Sequence, residues 1–307
     1  MTRTNINTDI FMQKENKEVV DNTSKNLEET EGFNAKNRGD GKIDVIKMEH
    51  ITQVFNEGTD LEYRLFDDFN LSIPDFKEKG QLISIMGGSG CGKSQLLRAI
   101  AGLSKIPKGT IKIYDRDIKD CGHIPMVFQT YSNYEWMTVL ENVMLPMKIR
   151  GVDEKEAKRR ALELIDTVGL TDHANKYAKN GSLSGGQLQR VSIARSLACN
   201  SPIILFDEAT GALDIKMKRE VQNIILKIFY ESNEDPTIIN VTHSIEEAIY
   251  LSNRVIILKP NPCSIYKVMD IYFDDEDIRK RGSWVFDTPK FAEYTNELTR
   301  YLGEVCV

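Results

Sequence analysis

The chain has 307 residues, a formal net charge of −6 at neutral pH and an apolar fraction of 41%. This length and composition suffice for one large or two small globular domains with a buried core. The acidic balance argues against a general nucleic-acid-binding protein, which usually carries a basic excess. The five cysteines are scattered without C-x-x-C spacing. We therefore expect a reducing environment, with neither a disulfide framework nor a zinc site.

The distribution of polar residues predicts the domain limits. Residues 1–42 are rich in Asn, Lys, Glu, Thr and Asp without sustained periodicity, which favours a disordered tail in which residues 9–20 could form a short helix. We expect the main domain over residues 43–262 and a strand and helix extension over 263–307. No apolar stretch approaches the roughly 18 residues that span a bilayer, and we find no secretory signal. Another chain would have to cross any membrane at which this protein works.

A phosphate-binding loop is predicted after the apolar, β-prone run over residues 82–86. The sequence there matches G-x-x-x-x-G-K-[ST] between a strand and a helix, which is the context that this motif requires. Glycines let backbone N–H groups converge on phosphate oxygens at a helix N-terminus. Lys93 can then reach the β- and γ-phosphates, and the Ser94 hydroxyl can ligate Mg²⁺. A glycine-rich turn that binds nothing is the weaker alternative. The candidate residues are Gly87, Gly88, Ser89, Gly90, Cys91, Gly92, Lys93, Ser94 and Gln95.

Short strands are predicted on both sides of this loop. Residues 43–48 and 63–73 favour an antiparallel pair, and residues 111–113 and 124–128 favour two more strands. Phe55 and Tyr63 flank the first turn, where either ring could stack on a nucleotide base or pack in the sheet; we favour Phe55 for the base. Gln129 follows residues 124–128 and can orient a water or complete a metal shell. Residues 135–180 have helical periodicity, which predicts a helical insertion at about residues 131–182.

A capped helix is predicted at Leu183-Ser184-Gly185-Gly186-Gln187. Ser184 and Gln187 have the spacing of a capping box, and the helix should continue to about residue 199. A capped start with two glycines exposes backbone N–H groups, which can bind a phosphate. An ordinary capped helix is the competing interpretation of these five residues alone.

Polar residues follow two buried-type strands. Asp207 and Glu208 end the run over residues 202–206, and His243 follows the strand over residues 237–242. The C-terminal edge of parallel strands is where ligands bind in such sheets. Asp207 can bind Mg²⁺, and Glu208 can orient or deprotonate an attacking water. His243 can hydrogen-bond a γ-phosphate. The alternatives are solvated acids and a surface histidine.

The last part of the sequence predicts peripheral elements. Ser244 and Glu247 have the spacing of a second capping box before a helix over residues 245–251. Residues 254–258 and 265–273 favour strands, and an acidic turn follows at residues 274–277. Residues 291–302 form an amphipathic helical pattern.

The order of these motifs resembles the nucleotide-binding subunit of an ABC transporter over about residues 43–260. The resemblance implies an α/β fold, a P-loop NTPase with a RecA-like mixed sheet, a small antiparallel β subdomain and an α-helical insertion. It assigns residues 87–94 to the Walker A loop, residues 183–187 to the signature motif and Asp207 to Walker B. Glu208 becomes the base and His243 the switch histidine. Gln129 becomes the Q-loop residue that touches Mg²⁺ and senses the membrane partner, and Asp214 belongs to the D-loop.

The resemblance also implies partners and cofactors. In this family two ATP molecules lie between two such domains, so that Ser184, Gly185, Gly186 and Gln187 of one copy contact the γ-phosphate held by the other. We therefore expect ATP, Mg²⁺ and a dimer, with a homodimer favoured. Transmembrane permease subunits on separate chains and a substrate-binding protein complete the expected complex. The expected location is the cytoplasmic side of the cell membrane, as a peripheral subunit that does not bind nucleic acid.

Three segments resemble one importer branch more closely. Residues 136–143, 211–214 and 246–255 are similar to the nitrate, sulfonate and taurine importers, which implies a small anion or sulfonate-like solute. Ala209 and Thr210 depart from the usual Pro-Phe of that branch, and residues 177–182 are longer than usual and lack its proline. An ATPase of an exporter, lipid-extraction or cell-division complex is the first alternative. A soluble ATPase of translation or DNA repair is the second, but the chain has one set of motifs and no heptad run.

Overall fold

The computed structural model describes residues 40–76, 80–122, 124–231, 235–273 and 281–305. Most of the tail predicted over residues 1–42 and the acidic turn predicted at residues 274–277 lie outside these described residues. The tail prediction is wrong for residues 40–42, which belong to the first strand. All of the described residues belong to the structural unit formed by residues 39–307.

The smaller of two sheets has four antiparallel strands in the order β2-β1-β4-β5. Apolar residues of both long strands are buried in one core, including Val45, Met48 and Phe66. This sheet is the predicted antiparallel β subdomain. Its strands are β1 (Asp40–Phe55), β2 (Tyr63–Phe76), β4 (Lys108–Ile113) and β5 (Arg116–Asp117).

The larger sheet has six strands in the order β10-β9-β3-β8-β7-β6, of which all but β10 run parallel. Its central strands are buried along their whole length, as parallel strands covered on both faces require. The predicted α/β fold with a mixed sheet is confirmed. The strands are β3 (Gln81–Gly87), β6 (Met126–Val127), β7 (Ile203–Asp207), β8 (Thr237–Val241), β9 (Arg254–Lys259) and β10 (Ser264–Asp270).

Helices cover both faces of the larger sheet. Leu82 and Met86 of β3 point into the core that contains α2 to α7, and Ile83 and Ile85 point into the core shared with α1 and the smaller sheet. No helix in the described part of the chain has the length and apolar character that a bilayer span requires. The helices are α1 (Lys93–Ile100), α2 (Val139–Ile149), α3 (Glu154–Thr167), α4 (Gly185–Leu197), α5 (Ile215–Glu231), α6 (Ile245–Leu251) and α7 (Pro289–Val305), with 3₁₀ turns at Ile118–Asp120, Thr171–His173 and Ser283–Asp287.

Two local predictions need correction. The strand expected over residues 124–128 shrinks to Met126–Val127, because this short edge strand pairs only with β7. The second capping box forms only in part. The N–H of Glu247 donates to Ser244 Oγ at 3.3 Å, but the Ser244 N–H donates to Thr242 Oγ1. The Glu247 carboxylate turns into the interior instead of back to the cap.

Pairing of β1 with β4 depends on a glycine. Gly109 has φ +99°, and a Cβ there would lie 2.6 Å from the carbonyl oxygens of both Glu49 and His50. Gly151 has φ +76° but no neighbouring atom within 4 Å of its Cβ position. We expect Gly151→Ala to lower the free energy of unfolding by about 1–2 kcal/mol through backbone strain alone. Gly109→Ala should cost about 1–3 kcal/mol more, because the backbone must shift. Denaturant unfolding of the two variants measures the difference, and equal losses would contradict the expectation.

Candidate active site

The loop between β3 and α1 is tightly enclosed at both ends and open in the middle. A Cβ at Gly87 would lie 2.6 Å from the carbonyl oxygen of Leu258, and one at Gly92 would lie 2.9 Å from Cδ1 of Leu65. At Gly90 no atom lies within 4 Å of the corresponding position. The loop therefore admits close approach of an anion to its backbone, as a phosphate cradle requires.

Lys93 folds back over this loop. Its ammonium Nζ donates hydrogen bonds to the carbonyl oxygens of Gly87 at 3.0 Å and Gly88 at 2.9 Å. The side chain is 4% exposed. The ammonium group is thus already held at the loop, where it can transfer its hydrogen bonds to phosphate oxygens.

Ser94 and Asp207 meet although 113 positions separate them in the sequence. The Ser94 hydroxyl donates to Asp207 Oδ1 at 2.8 Å. Burial raises the pKa of the Asp207 carboxyl above its ordinary value, the hydrogen bond from Ser94 opposes this rise, and the neighbouring Glu208 adds to it. A buried carboxylate of this kind gains from a nearby cation, because the cation favours the charged form.

The donor set around Asp207 fits Mg²⁺. Hydroxyl, carboxylate and amide oxygens are the hard ligands that Mg²⁺ takes, usually with waters and substrate phosphates. The Gln129 side chain lies beside the loop after β7, since its Nε2 lies 3.4 Å from the Cβ position of Gly211. No group of three or more His, Cys, Asp or Glu side chains is arranged for a metal ion anywhere in the described residues. Ser94 and Asp207 supply two oxygens of the kind that Mg²⁺ takes, and a metal contact by Gln129 stays a prediction.

Glu208 and His243 form the second close pair at this edge of the sheet. His243 Nε2 lies 2.7 Å from Glu208 Oε1, and the side chains are 51% and 23% exposed. Glu208 has φ +50°, a left-handed conformation that is uncommon outside glycine and is concentrated at functional sites. Its N–H donates to the carbonyl oxygen of Val241 at 3.0 Å, which ties the ends of β7 and β8 together. The pair can hold a water or a phosphate oxygen between an acceptor and a donor.

The predicted capping box at the start of α4 forms in full. Ser184 Oγ accepts from the Gln187 N–H at 3.3 Å, and the Gln187 side chain accepts from the Ser184 N–H at 2.9 Å. Gln187 Nε2 also contacts Nε2 of His173 at 3.0 Å. Ser184 is exposed. Among the described residues, no hydrogen bond joins Ser184 or Gln187 to the phosphate loop of the same chain.

Neighbouring side chains explain the two glycines of α4. A Cβ at Gly185 would collide with the phenol oxygen of Tyr131, and one at Gly186 would lie 3.0 Å from Sδ of Met217. Sequence patterns do not indicate the Met217 contact, because it joins two helices far apart in the chain. The start of α4 is thus packed against the segment after Gln129 on one side and against α5 on the other.

Two aromatic residues stand at the end of the smaller sheet. Phe55 and Tyr63 are cross-strand partners and are 40% and 38% exposed. The Tyr63 hydroxyl donates to the carbonyl oxygen of Gly90 at 3.3 Å. Both rings therefore lie near the phosphate loop, and the choice of Phe55 as the base-stacking residue stays a prediction.

Two other predicted residues have structural partners of their own. The Gln95 amide donates to Ser104 Oγ at 2.5 Å and to Gln53 Oε1 at 3.4 Å. Asp214 caps α5, because its Oδ1 accepts from the Met217 N–H at 2.9 Å. Nucleotide contact by Gln95 and by the exposed Asp214 stays a prediction.

Three features define an ATP-binding cassette of the P-loop NTPase class. They are the phosphate loop after β3, the acid at the end of β7 and the capped Ser-Gly-Gly start of α4. The ABC transporter family profile matches residues 67–211. The nitrate import ATP-binding protein of Synechocystis is 38% identical over 73% of this chain and 84% of its own length. The taurine import ATP-binding protein of Jannaschia is 37% identical over 72% of this chain and 81% of its own length.

A solved structure agrees with these relatives. The dimeric post-hydrolysis state of an ATP-binding cassette bound to ADP and Pi is 32% identical, with a TM-score of 0.63, over 74% of this chain and 99% of that one. The chain belongs to the family of ABC transporter ATP-binding proteins, and its relatives include ATP-binding proteins of nitrate and taurine import. It is an ATPase that binds ATP.

Proposed function

We propose that the chain is the ATP-hydrolysing subunit of an importer for a small anion or a sulfonate-like solute. It works as a peripheral subunit on the cytoplasmic side of the membrane, with permease subunits on separate chains and a substrate-binding protein. The nitrate and taurine import relatives support this assignment, because the chain covers 84% and 81% of their lengths.

The ATP-hydrolysing role rests on two side-chain contacts at one edge of the larger sheet. Ser94 contacts Asp207 at 2.8 Å, and Glu208 contacts His243 at 2.7 Å. We assign the phosphates to the loop over residues 87–94 and the metal to Ser94, Asp207 and Gln129. Mg²⁺ held by these residues would neutralise negative charge that develops on the phosphates during hydrolysis.

Glu208 and His243 have complementary roles in this proposal. Glu208 accepts a proton from the attacking water, which must lie within hydrogen-bond reach of its carboxylate. His243 donates a hydrogen bond to the terminal phosphate from its 51% exposed position. Their contact keeps the acceptor and the donor on the same side of the site.

Two copies complete each site in this proposal. Ser184, Gly185, Gly186 and Gln187 at the start of α4 close on the phosphate held by the other copy, and Asp214 lies at the same junction. Support comes from Ser184, which is exposed on a capped helix whose N–H groups suit an anion. Phe55 stacks on the base beside the loop.

The permease contact is assigned to residues 131–136 and the helical insertion over residues 131–182. Trp136 is 70% exposed and lies edge-to-face with Tyr134 at a centroid distance of 5.3 Å. Arg195 stacks over Tyr134 at 5.3 Å, and Tyr131 reaches Gly185. A partner on this surface would therefore touch residues that adjoin the signature helix.

An Asp and Asn pair at position 184 tests the composite site. Both residues cap a helix as well as Ser does, so Ser184→Asp and Ser184→Asn should fold alike. Only Asp places a negative charge against the triphosphate of the other copy, at a Coulomb cost of about 1–4 kcal/mol at 4 Å. We expect ATP and Mg²⁺ to dimerise the wild type and Ser184→Asn, whereas dimerisation of Ser184→Asp weakens about tenfold or more. Sedimentation velocity with ATP or ADP measures this.

Two results would contradict the proposal. A wild-type chain that stays monomeric at saturating ATP and Mg²⁺ lacks the composite site, and equal dimerisation of the Asp and Asn variants places Ser184 elsewhere. The solute is tested separately, by purifying the tagged chain with its permease from membranes. Uptake of nitrate or taurine into proteoliposomes is the expected result, and uptake of spermidine alone would reject the anion assignment.

A further inference from the structure

A buried carboxylate binds residues that lie close in sequence to Glu208 and His243. Glu247 on α6 is 2% exposed. Its Oε2 accepts hydrogen bonds from the hydroxyls of Thr210 at 2.6 Å and Thr242 at 3.2 Å. The Lys218 ammonium lies 3.2 Å from the same oxygen, and the Asn240 amide lies 3.4 Å from Oε1. One side chain thus joins the loop after β7, the end of β8, the turn that follows it and α5.

The partners of Glu247 flank the two residues that we assign to hydrolysis. Thr210 follows Glu208 by two positions, and Thr242 immediately precedes His243. The contact between Glu208 and His243 joins side chains that are 23% and 51% exposed, so water can compete with it. The buried Glu247 carboxylate therefore links the turn that contains Thr210 to the turn that contains Thr242, at a place where water does not compete for these hydrogen bonds.

The strained backbone of Glu208 needs contacts that hold it in place, and the Glu247 hydrogen bonds supply one of them. A non-glycine residue at φ +50° persists only where its surroundings fix it. The Gly211 N–H donates to the Glu208 carbonyl oxygen at 2.9 Å. The same loop is also held by the hydrogen bond that the Thr210 hydroxyl donates to Glu247. Loss of the hydrogen bond between Thr210 and Glu247 would let the turn relax and move the Glu208 carboxylate.

Helix capping does not account for Glu247. In a capping box the N3 carboxylate returns to the backbone of the cap residue, but the Ser244 N–H donates to Thr242 Oγ1 instead. A buried ion pair with Lys218 is weak evidence for a stabilising role, because desolvation offsets its attraction. The convergence of two threonine hydroxyls on one oxygen is a geometric arrangement that an ion pair alone does not need.

We propose that Glu247 is a positioning residue for ATP hydrolysis, which holds Glu208 and His243 in register through Thr210 and Thr242. This inference rests on the proposed function, since it concerns the same site. Glu247 does not touch the phosphate loop through any hydrogen bond among the described residues. Its effect should therefore fall on the hydrolysis step and not on ATP binding.

The experiment compares Glu247→Gln with Glu246→Gln. Glu246 precedes it on the same helix but is exposed. We expect Glu247→Gln to lower kcat about tenfold or more, since small misplacements of reacting groups have effects of this size. KM for ATP and the affinity for ATP should stay within about twofold of wild type. Glu246→Gln should leave all three unchanged.

Two substitutions at Thr210 test the inference independently, in case Glu247→Gln does not fold. Thr210→Val removes the hydroxyl at nearly constant volume, and Thr210→Ser keeps it. We expect kcat to fall in Thr210→Val by about threefold or more and to recover in Thr210→Ser, because a displaced turn weakens hydrolysis without changing the phosphate loop. A structural role alone would lower thermal stability and ATP affinity together.

Three outcomes decide the matter. Wild-type kcat in both Glu247→Gln and Thr210→Val overturns the inference, and so does a parallel loss of kcat and ATP affinity. A split between a lowered kcat and an unchanged affinity supports it. If the wild type itself does not hydrolyse ATP with Mg²⁺, the proposed function fails instead, so the two failures are distinguishable.

Discussion

Glu208→Gln should lower kcat for ATP hydrolysis about a thousandfold while ATP still binds. The Gln side chain has the same length and can keep the contact that Glu208 makes with His243 at 2.7 Å. It cannot accept a proton from water, and loss of a general base typically costs a factor of about 10²–10⁴. Phosphate release assays measure kcat, and equilibrium titration with a fluorescent ATP analogue measures binding.

A second readout follows from the composite site. When hydrolysis is blocked, the ATP-bound dimer cannot return to monomers by turnover, so Glu208→Gln should accumulate as a dimer at saturating ATP. Glu246→Gln is the matched control, because it makes the same chemical change on an exposed helix position. Undiminished hydrolysis in Glu208→Gln would remove Glu208 from its assigned role.

Local motifs made much of the site predictable from sequence. The glycine spacing around Lys93 depends on backbone chemistry within a few residues, so the loop after β3 could be located without any tertiary information. Asp207, Glu208 and His243 follow buried strands, and parallel strands place their C-terminal ends at one edge of a sheet. That rule anticipates that Ser94 and Asp207 meet across 113 positions.

Some contacts lie beyond any local pattern. The full burial of Glu247 depends on Thr210, Thr242 and Lys218, which come from three other elements. The spacing of Ser244 and Glu247 predicts a capping box. The Glu247 carboxylate instead accepts hydrogen bonds from Thr210 and Thr242. The contacts of Gly185 with Tyr131 and of Gly186 with Met217 are equally non-local.

Helix α5 is the element that the sequence analysis missed. Its 17 residues begin after the Asp214 cap and bury Val221, Ile225 and Phe229 at spacings of four residues. The periodic signal is therefore present in the sequence. Lys and Arg are interspersed with these apolar positions.

Lys93→Ala should lower the affinity for ATP about a hundredfold. The ammonium group lies at the phosphate loop, where it donates to the carbonyl oxygens of Gly87 and Gly88 at 3.0 and 2.9 Å. Charge-assisted hydrogen bonds to a triphosphate are worth about 1.5–3 kcal/mol, and every 1.4 kcal/mol is a factor of ten in affinity. Isothermal titration with ATP and Mg²⁺ measures the loss.

Lys93→Met separates the charge from the stem of the side chain. Methionine fills much of the volume that the 4% exposed Lys93 occupies, so it tests the ammonium group while keeping the packing. Lys105→Ala, at an exposed position beyond α1, controls for a general change in charge. Equal ATP affinity in Lys93→Met and the wild type would contradict a role of the ammonium group in ATP binding. If the affinity falls in both Lys93 variants and not in Lys105→Ala, the loss belongs to the Lys93 ammonium group, because both Lys93 variants lack it.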